Sequence, residues 1–229
     1  IHGESIIITG KENEQIIRAF MNGKILRNNL SGKCDSIHFS QLTGIAQLIN
    51  KRNSLNERSR KIKKPILWNN KSQITGDSIH IKFDTDKNII DSLFVFNNAF
   101  IIEKDTLEIG FNQISGKKLN GNFIDGKLKE VDIIKNAESV YYLRNSENEL
   151  IGIDKSKSAK IKILISDQNI DTFTKINQID GNVYPEDEFN ENDKLLKGFF
   201  FREDEIIKTI DDLFSEDKEF QFIKIKNLE

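Results

Sequence analysis

Two histidines, two aspartates and one thiol are the residues of this chain best placed by type and spacing to do chemistry. His38 and His80 end matching phrases, Cys34-Asp-Ser-Ile-His38 and Gly76-Asp-Ser-Ile-His80. Two imidazoles with a third ligand would hold zinc, and Asp35 and Asp77, repeated in register, would supply acid–base chemistry. Alternation argues against both uses. Ile37 and Phe39 flank His38, and Ile79 and Ile81 flank His80. Neighbours along a strand point to opposite faces, so the imidazoles belong on a polar face and the apolar residues share the other. An active site needs its acid and base once, so an aspartate that recurs with the unit is expected at a structural corner. Cys34 is the one cysteine. It leaves no disulfide within the chain and no cysteine-only zinc site, and inside a strand it is expected as a small buried hydrophobe. No Gly-rich phosphate loop, His-Glu-x-x-His or Gly-x-Ser-x-Gly motif is present. The residues indicate no enzyme, no metal and no cofactor. An enzyme acting on polysaccharide would need paired carboxylates at an interior site, and the acids here fall mostly in predicted turns or on the wet face.

The elements that carry these phrases form a degenerate repeat. Its best copy is Ile74 to Lys104, two strand-like runs joined by a polar turn. Units open at Gly3, Gly32, Gly76, Gly116 and Gly152, between 29 and 44 residues apart, the spacing of stacked β units with loop insertions. An Asn-plus-small phrase recurs at Asn22-Gly23, Asn98-Ala99 and Asn136-Ala137, with looser versions at Asn70-Lys71 and Asn182-Val183. Period-2 alternation places Ile79, Ile81 and Phe83 on one face of their strand. Leu93, Val95, Ala99 and Ile101 share a face of the partner strand. Val131, Ile133 and Ala137 match three of those positions, Ile161 and Ile163 alternate cleanly in the fifth unit, and Ile37 and Phe39 do so in the second. A small residue at a repeated inward position signals crowding, by a neighbouring layer of core or by a ligand.

Composition bounds the class. The chain has 229 residues, 31 % of them charged and 37 % hydrophobic, ordinary for a repeat protein whose units each keep one wet face. The net charge of −2 excludes a nucleic-acid binder by bulk electrostatics. The charge is uneven: Ile1 to Gly76 holds 13 Lys and Arg against 5 Asp and Glu, the remainder 21 against 31. Much of the basic excess lies in Lys51 to Lys64, which interrupts the repeat as a surface loop or short helix. Beyond Tyr184-Pro185 the sequence turns acidic. Leu195 to Phe201 is expected as one more strand, Asp204 to Phe214 has helical spacing, and Phe220 to Ile225 alternates again. No run reaches the length of a membrane helix. No signal peptide is visible, and a start at Ile1 rather than Met leaves export open.

Four phrases together resemble a known family: Ser31-Gly-Lys-Cys-Asp-Ser-Ile-His-Phe-Ser40, Pro65-Ile-Leu-Trp68, Thr75-Gly-Asp-Ser-Ile-His80 and Phe96-Asn-Asn-Ala-Phe-Ile-Ile102. They look like the OstA-like proteins, which include periplasmic lipopolysaccharide-transport proteins and the N-terminal domain of the outer-membrane lipopolysaccharide assembly protein. The resemblance covers Ile1 to Arg202. The fourth unit departs from it, having Leu119-Asn-Gly-Asn-Phe123 in place of the Asp-Ser-Ile phrase, and so does the acidic tail.

The resemblance implies an all-β fold, an open twisted antiparallel β jelly roll, here of about five stacked units; the short C-terminal helix is expected from the spacing at 204–214 alone. Residues 1–202 would form the jelly roll, interrupted by the basic insertion 51–64, and 203–229 an acidic tail, helical then strand. It implies a non-enzymatic lipid-binding module that holds the acyl chains of lipopolysaccharide, or a similar lipid, in a hydrophobic groove. Ile37, Phe39, Ile79, Ile81, Phe83, Leu93 and Val95 would line that groove, with Ala99, Ile101, Val131, Ile133, Ala137, Ile161 and Ile163. Lys61, Lys63 and Lys64 would meet head-group phosphates; a solvated basic loop is the plainer reading of that stretch. Implied partners are other jelly-roll transport proteins, joined by edge-strand addition, and the outer-membrane assembly barrel, with a periplasmic or outer-membrane-associated location. A structural β-solenoid scaffold or surface protein with a packed core and no lipid is the alternative.

Overall fold

The computed structural model describes residues 1–27, 30–50, 64–69, 71–105, 107, 109–166 and 169–215. Thirteen strands and one short helix follow in order: β1 (Ser5–Thr9), β2 (Ile16–Arg27), β3 (Leu30–Ser40), β4 (Ile45–Ile49), β5 (Ile66–Asn69), β6 (Ser72–Thr75), β7 (Ser78–Asp84), β8 (Ile89–Lys104), β9 (Phe111–Ile124), β10 (Lys127–Arg144), β11 (Leu150–Ser166), β12 (Asn169–Ile176), β13 (Asp180–Tyr184) and α1 (Ile210–Phe214). All the named strands pair antiparallel. The fold is an antiparallel β jelly roll.

β8, β10 and β11 run 16, 18 and 17 residues, about three times an ordinary strand. They are long because each serves two sheets. The first sheet runs β1, β2, β3, β4, β7, β8, β9, β10, β11, β12; the second is built from the other halves of the long strands with β5, β6 and β13. Apolar residues of both halves share one cluster: Ile25, Leu67, Ile74 and Ile114 of the second sheet pack with Ile37, Ile79, Val95 and Ile133 of the first. The two sheets are therefore folded face to face along the line where the strands bend.

That line has a residue code. Strands running from the first sheet to the second bend through two successive left-handed residues: Met21-Asn22, Asn97-Asn98, Lys135-Asn136 and, between β12 and β13, Asn177-Gln178, all with φ from 50° to 66°. Asparagine tolerates this region better than other non-glycine residues. At the first three the ladder slips register, and the next paired residue is Gly23, Ala99 or Ala137. Ala99 and Ala137 are fully buried, and a Cβ on Gly23 would sit 3.1 Å from Ile37 and 3.2 Å from the Cys34 sulfur. The small residue is thus required by core packing. Returning strands bend at Gly3-Glu4, Asp35, Gly76-Asp77 and Gly116.

The corner reading corrects two units. Gly32 and Gly152 lie inside second-sheet strands, away from the bend. Asn182-Val183, the looser form of the Asn phrase, lies within β13, and the bend between β12 and β13 falls at Asn177-Gln178. Far from the corners, hairpins close by local chemistry. Asp125-Gly126 has φ of 51° and 72°, as a two-residue type I′ hairpin requires. Asp84 accepts hydrogen bonds from the amides of Asp86 and Lys87, both 3.0 Å.

Pro185 to Ser215 is a strap laid crosswise over the outer face of the second sheet. Phe189 and Leu196 pack there on Phe100, Ile102, Val140 and Tyr142. Two fully buried glutamines hold its backbone. Gln113 donates to the Lys194 carbonyl (2.7 Å) and accepts from the Leu196 amide (2.8 Å). Gln73 does the same for Phe200 (2.6 Å) and Arg202 (2.7 Å). Leu195 to Phe201 consequently forms no strand: its polar backbone is satisfied by side chains beneath it. Among the described residues the α-helix is confined to α1, which starts in a capping box at Thr209 and Asp212, and Glu186–Glu188, Glu191–Asp193 and Glu203–Glu205 form short 3-10 turns. The alternating stretch Phe220 to Ile225 lies outside the described residues.

Candidate functional site

The interior between the sheets is built from cross-strand rows. Directly opposed residues share a face, and in the first sheet the pairing runs Ala19, Ile37, Leu48, Ile79, Val95, Leu119, Ile133, Ile161 without a gap. A second row, Ile17, Phe39, Ala46, Ile81, Leu93, Gly121, Val131, Ile163, runs beside it. Two apolar tracks therefore cross eight strands in parallel. Ile25, Leu67, Ile74, Ile101 and Ile114 face them from the second sheet.

All fourteen predicted lining residues fall in this one cluster. Ile37, Ile79, Ile81, Phe83, Leu93, Val95, Ala99, Val131, Ile133, Ala137, Ile161 and Ile163 are at most 6 % exposed; Phe39 and Ile101 are half-buried against it. Alternation within strands was sufficient to find them. It did not find Leu48 and Leu119, which sit in the same row from a short strand and from the degenerate fourth unit, nor the second-sheet residues opposite.

The two ends of the tracks differ. At the β1 end the rows continue to Ile6 and Ile8, which are 46 % and 56 % exposed. Near that end a cleft of about 590 Å³ lies between the tips of the two sheets, lined by Ile25, Leu26, Arg27, Phe39, Ala46 and Phe83. The Arg27 guanidinium stands 4.7 Å over the Phe83 ring, a cation–π contact at the rim of an apolar opening. At the β12 end the rows finish on Lys175 and Phe173.

Polar residues take structural places. Asp77 and Glu4 lie at corners and bond to Asn98 and Asn22 of the adjacent bends, and the Asp35 amide donates to the Asn50 side chain. His38 and His80 are in register across Gln47, on the outer face. His80 packs edge-on against Phe96, and burial lowers its pKa. Among the described residues no group of His, Cys, Asp and Glu could hold a metal ion. Cys34 is buried, and loss of hydration pushes its thiol up to about 12. Lys64 is half-buried two residues before β5; Lys61 and Lys63 lie outside the described residues.

Fold and interior define a class: an antiparallel β jelly roll whose shared, bent strands enclose two continuous apolar tracks side by side. Among solved structures the chain is similar to LptH from Pseudomonas aeruginosa, described as the LptA-homologous periplasmic component of the conserved lipopolysaccharide transport device. The identity is 13 %, over 68 % of this chain and 95 % of that one, with a TM-score of 0.47. No family model matches the sequence, and no curated protein matches it.

Proposed function

We propose that this protein is a non-enzymatic lipid-binding module of lipopolysaccharide transport. It would act in the periplasm or at the outer membrane and hold acyl chains between its two sheets. One observation carries the reading: two uninterrupted apolar rows cross the first sheet and reach solvent at the β1 edge. The OstA-like phrases in the sequence support it independently. Each methylene moved from water onto such a track is worth about 0.8 kcal/mol, so a shallow, continuous surface binds a lipid without trapping it at one point.

The sheets are joined along the corners, so lipid would enter by separation of their free tips, beginning at the cleft beside Phe39 and Phe83. β1 and β12 are edge strands with unpaired backbone, suited to strand addition by neighbouring jelly-roll modules or by the outer-membrane assembly barrel. Lys61, Lys63 and Lys64 are candidates for head-group phosphates.

A second reading is favoured by the near-complete burial of the lining residues. A scaffold with a packed core would bury them in the same way. In-cell photocrosslinking separates the two. A photoreactive side chain at Ile81 should capture lipopolysaccharide, and one at outward-facing Lys82 should not. Capture from Lys82 alone, or from neither position, would establish the scaffold.

A further inference from the structure

The apolar tracks end on an ion pair between a buried carboxylate and a partly exposed ammonium. Lys175, the residue opposite Ile161, is the last member of the innermost row. Its ammonium donates to both carboxylate oxygens of Asp154, at 2.6 and 2.7 Å. Lys175 is on β12 in the first sheet and Asp154 on the second-sheet half of β11, so the pair ties the sheets together across the interior. Here the second-sheet lining changes character. Asp154, Ser156 and Ser158 alternate on the face of β11 opposite Tyr141, Ser139 and Ala137, where other strands present Ile74, Ile101 and Ile114. Ser156 and Ser139 also reach the Asp154 carboxylate, at 3.0 and 3.4 Å. Asp154 is 6 % exposed, and beside the pair the Tyr141 and Phe173 rings meet across the interior, tilted at 41° with centroids 5.3 Å apart.

We propose that Asp154 and Lys175 form a latch that closes the lipid track at its β12–β13 end, making the interior open at one end and gated at the other. The inference rests on the lipid-binding reading above. An alkyl chain that displaces this pair leaves the buried Asp154 carboxylate without its counter-charge. The latch therefore opens only when both charges are received elsewhere. Asp154 has two hydroxyls beside it. Lys175 has a flexible stem on an edge strand and a partly exposed side chain, so its ammonium can swing to solvent or onto an anionic group of the amphiphile itself. Lipid would then enter from the β1 end and leave past Lys175.

The test uses the full chain with purified lipopolysaccharide and p-benzoyl-phenylalanine at one of two positions. Phe39 lies on the track near its open end, and Val183 lies beyond the latch, opposite Asp154. In the wild-type background Phe39 crosslinks lipid and Val183 yields at least fivefold less. Asp154→Leu with Lys175→Met removes the charges together, which keeps the site satisfied; the Val183 yield should then rise about fivefold with the Phe39 yield unchanged. The charge-swapped pair, Asp154→Lys with Lys175→Asp, should restore the low Val183 yield, and thermal melts establish that each variant is folded. Equal yields at Phe39 and Val183 in the wild type, or a Val183 yield unmoved by the apolar pair while Phe39 still crosslinks, overturn the latch. No crosslink from Phe39 in any background overturns the lipid-binding reading itself.

Discussion

The side-chain amide of Asn98 donates to both carboxylate oxygens of Asp77, each at 3.0 Å, across neighbouring corners of the fold. Asn98 is the second left-handed residue of the β8 bend, and the Asp77 amide donates in turn to the Asn97 carbonyl at 3.0 Å. Glu4 and Asn22 repeat the arrangement at the first corner, with the Glu4 amide on the Met21 carbonyl. The asparagine supplies both a tolerated φ and a donor for the acid. Asn98→Val should cost about 2–3 kcal/mol, combining left-handed strain with the lost bond. Asn98→Gly should stay within about 1 kcal/mol of wild type, because glycine relieves the strain. Urea unfolding curves measure the difference, and equal losses would mean that φ does not matter at this corner.

Gly76 stands beside the same corner for a different reason. A Cβ there would lie 2.1 Å from Val95 Cγ1, so Gly76→Ala must overpack the interior, at about 1–3 kcal/mol. Val95→Ala opens that space. The double variant should therefore lose less stability than the two single losses added, a coupling of about 0.5–3 kcal/mol. Simple additivity would show that the contact relaxes freely.

The strap gives a local prediction. Gln113→Ala strips partners from the Lys194 carbonyl and the Leu196 amide, about 1–3 kcal/mol for each buried group left unpaired. Tryptic cleavage at Lys194 and Lys197 should accelerate at least tenfold, while amide protection of Ile79 and Val95 in the first sheet is retained. Gln73→Ala should act likewise at Arg202. Loss of protection throughout the chain would instead make the strap part of the global folding unit.

His80 sets a dependence on pH. Its folded pKa is lowered from 6.5 by burial, so below that value the unfolded chain binds a proton that the folded chain resists. Stability contributed by neutral His80 is full above the unfolded pKa and falls as acidification proceeds through the folded one. On going from about pH 7.5 to about pH 5, wild type should lose more stability than His80→Gln. Matched losses would show that His80 titrates normally.

Much of the candidate site was legible because a strand's facing is a local property. Alternation at Ile79-His80-Ile81 or Ile161 to Ile165 fixes which side chains go inward wherever the strand ends up, and the recurring aspartates pointed to corners before any pairing was known. The fourth unit was obscured because Lys117 stands where other corners carry an acid, although Leu119 keeps its place in the inner row.

What the sequence determined by itself was the strand content, the inward set and the small residue after each bend, all consequences of backbone sterics and period-2 geometry. What the tertiary structure decided was which strands share two sheets, the union of separate alternations into continuous rows, and the two ends of those rows. Asp154 and Lys175 are 21 residues apart on strands belonging to different halves, and Gln73 meets Arg202 across 129 positions. Neither residue type is unusual for a strand. Buried polar groups must find partners at any distance, and that requirement acts only once the chain has folded back on itself.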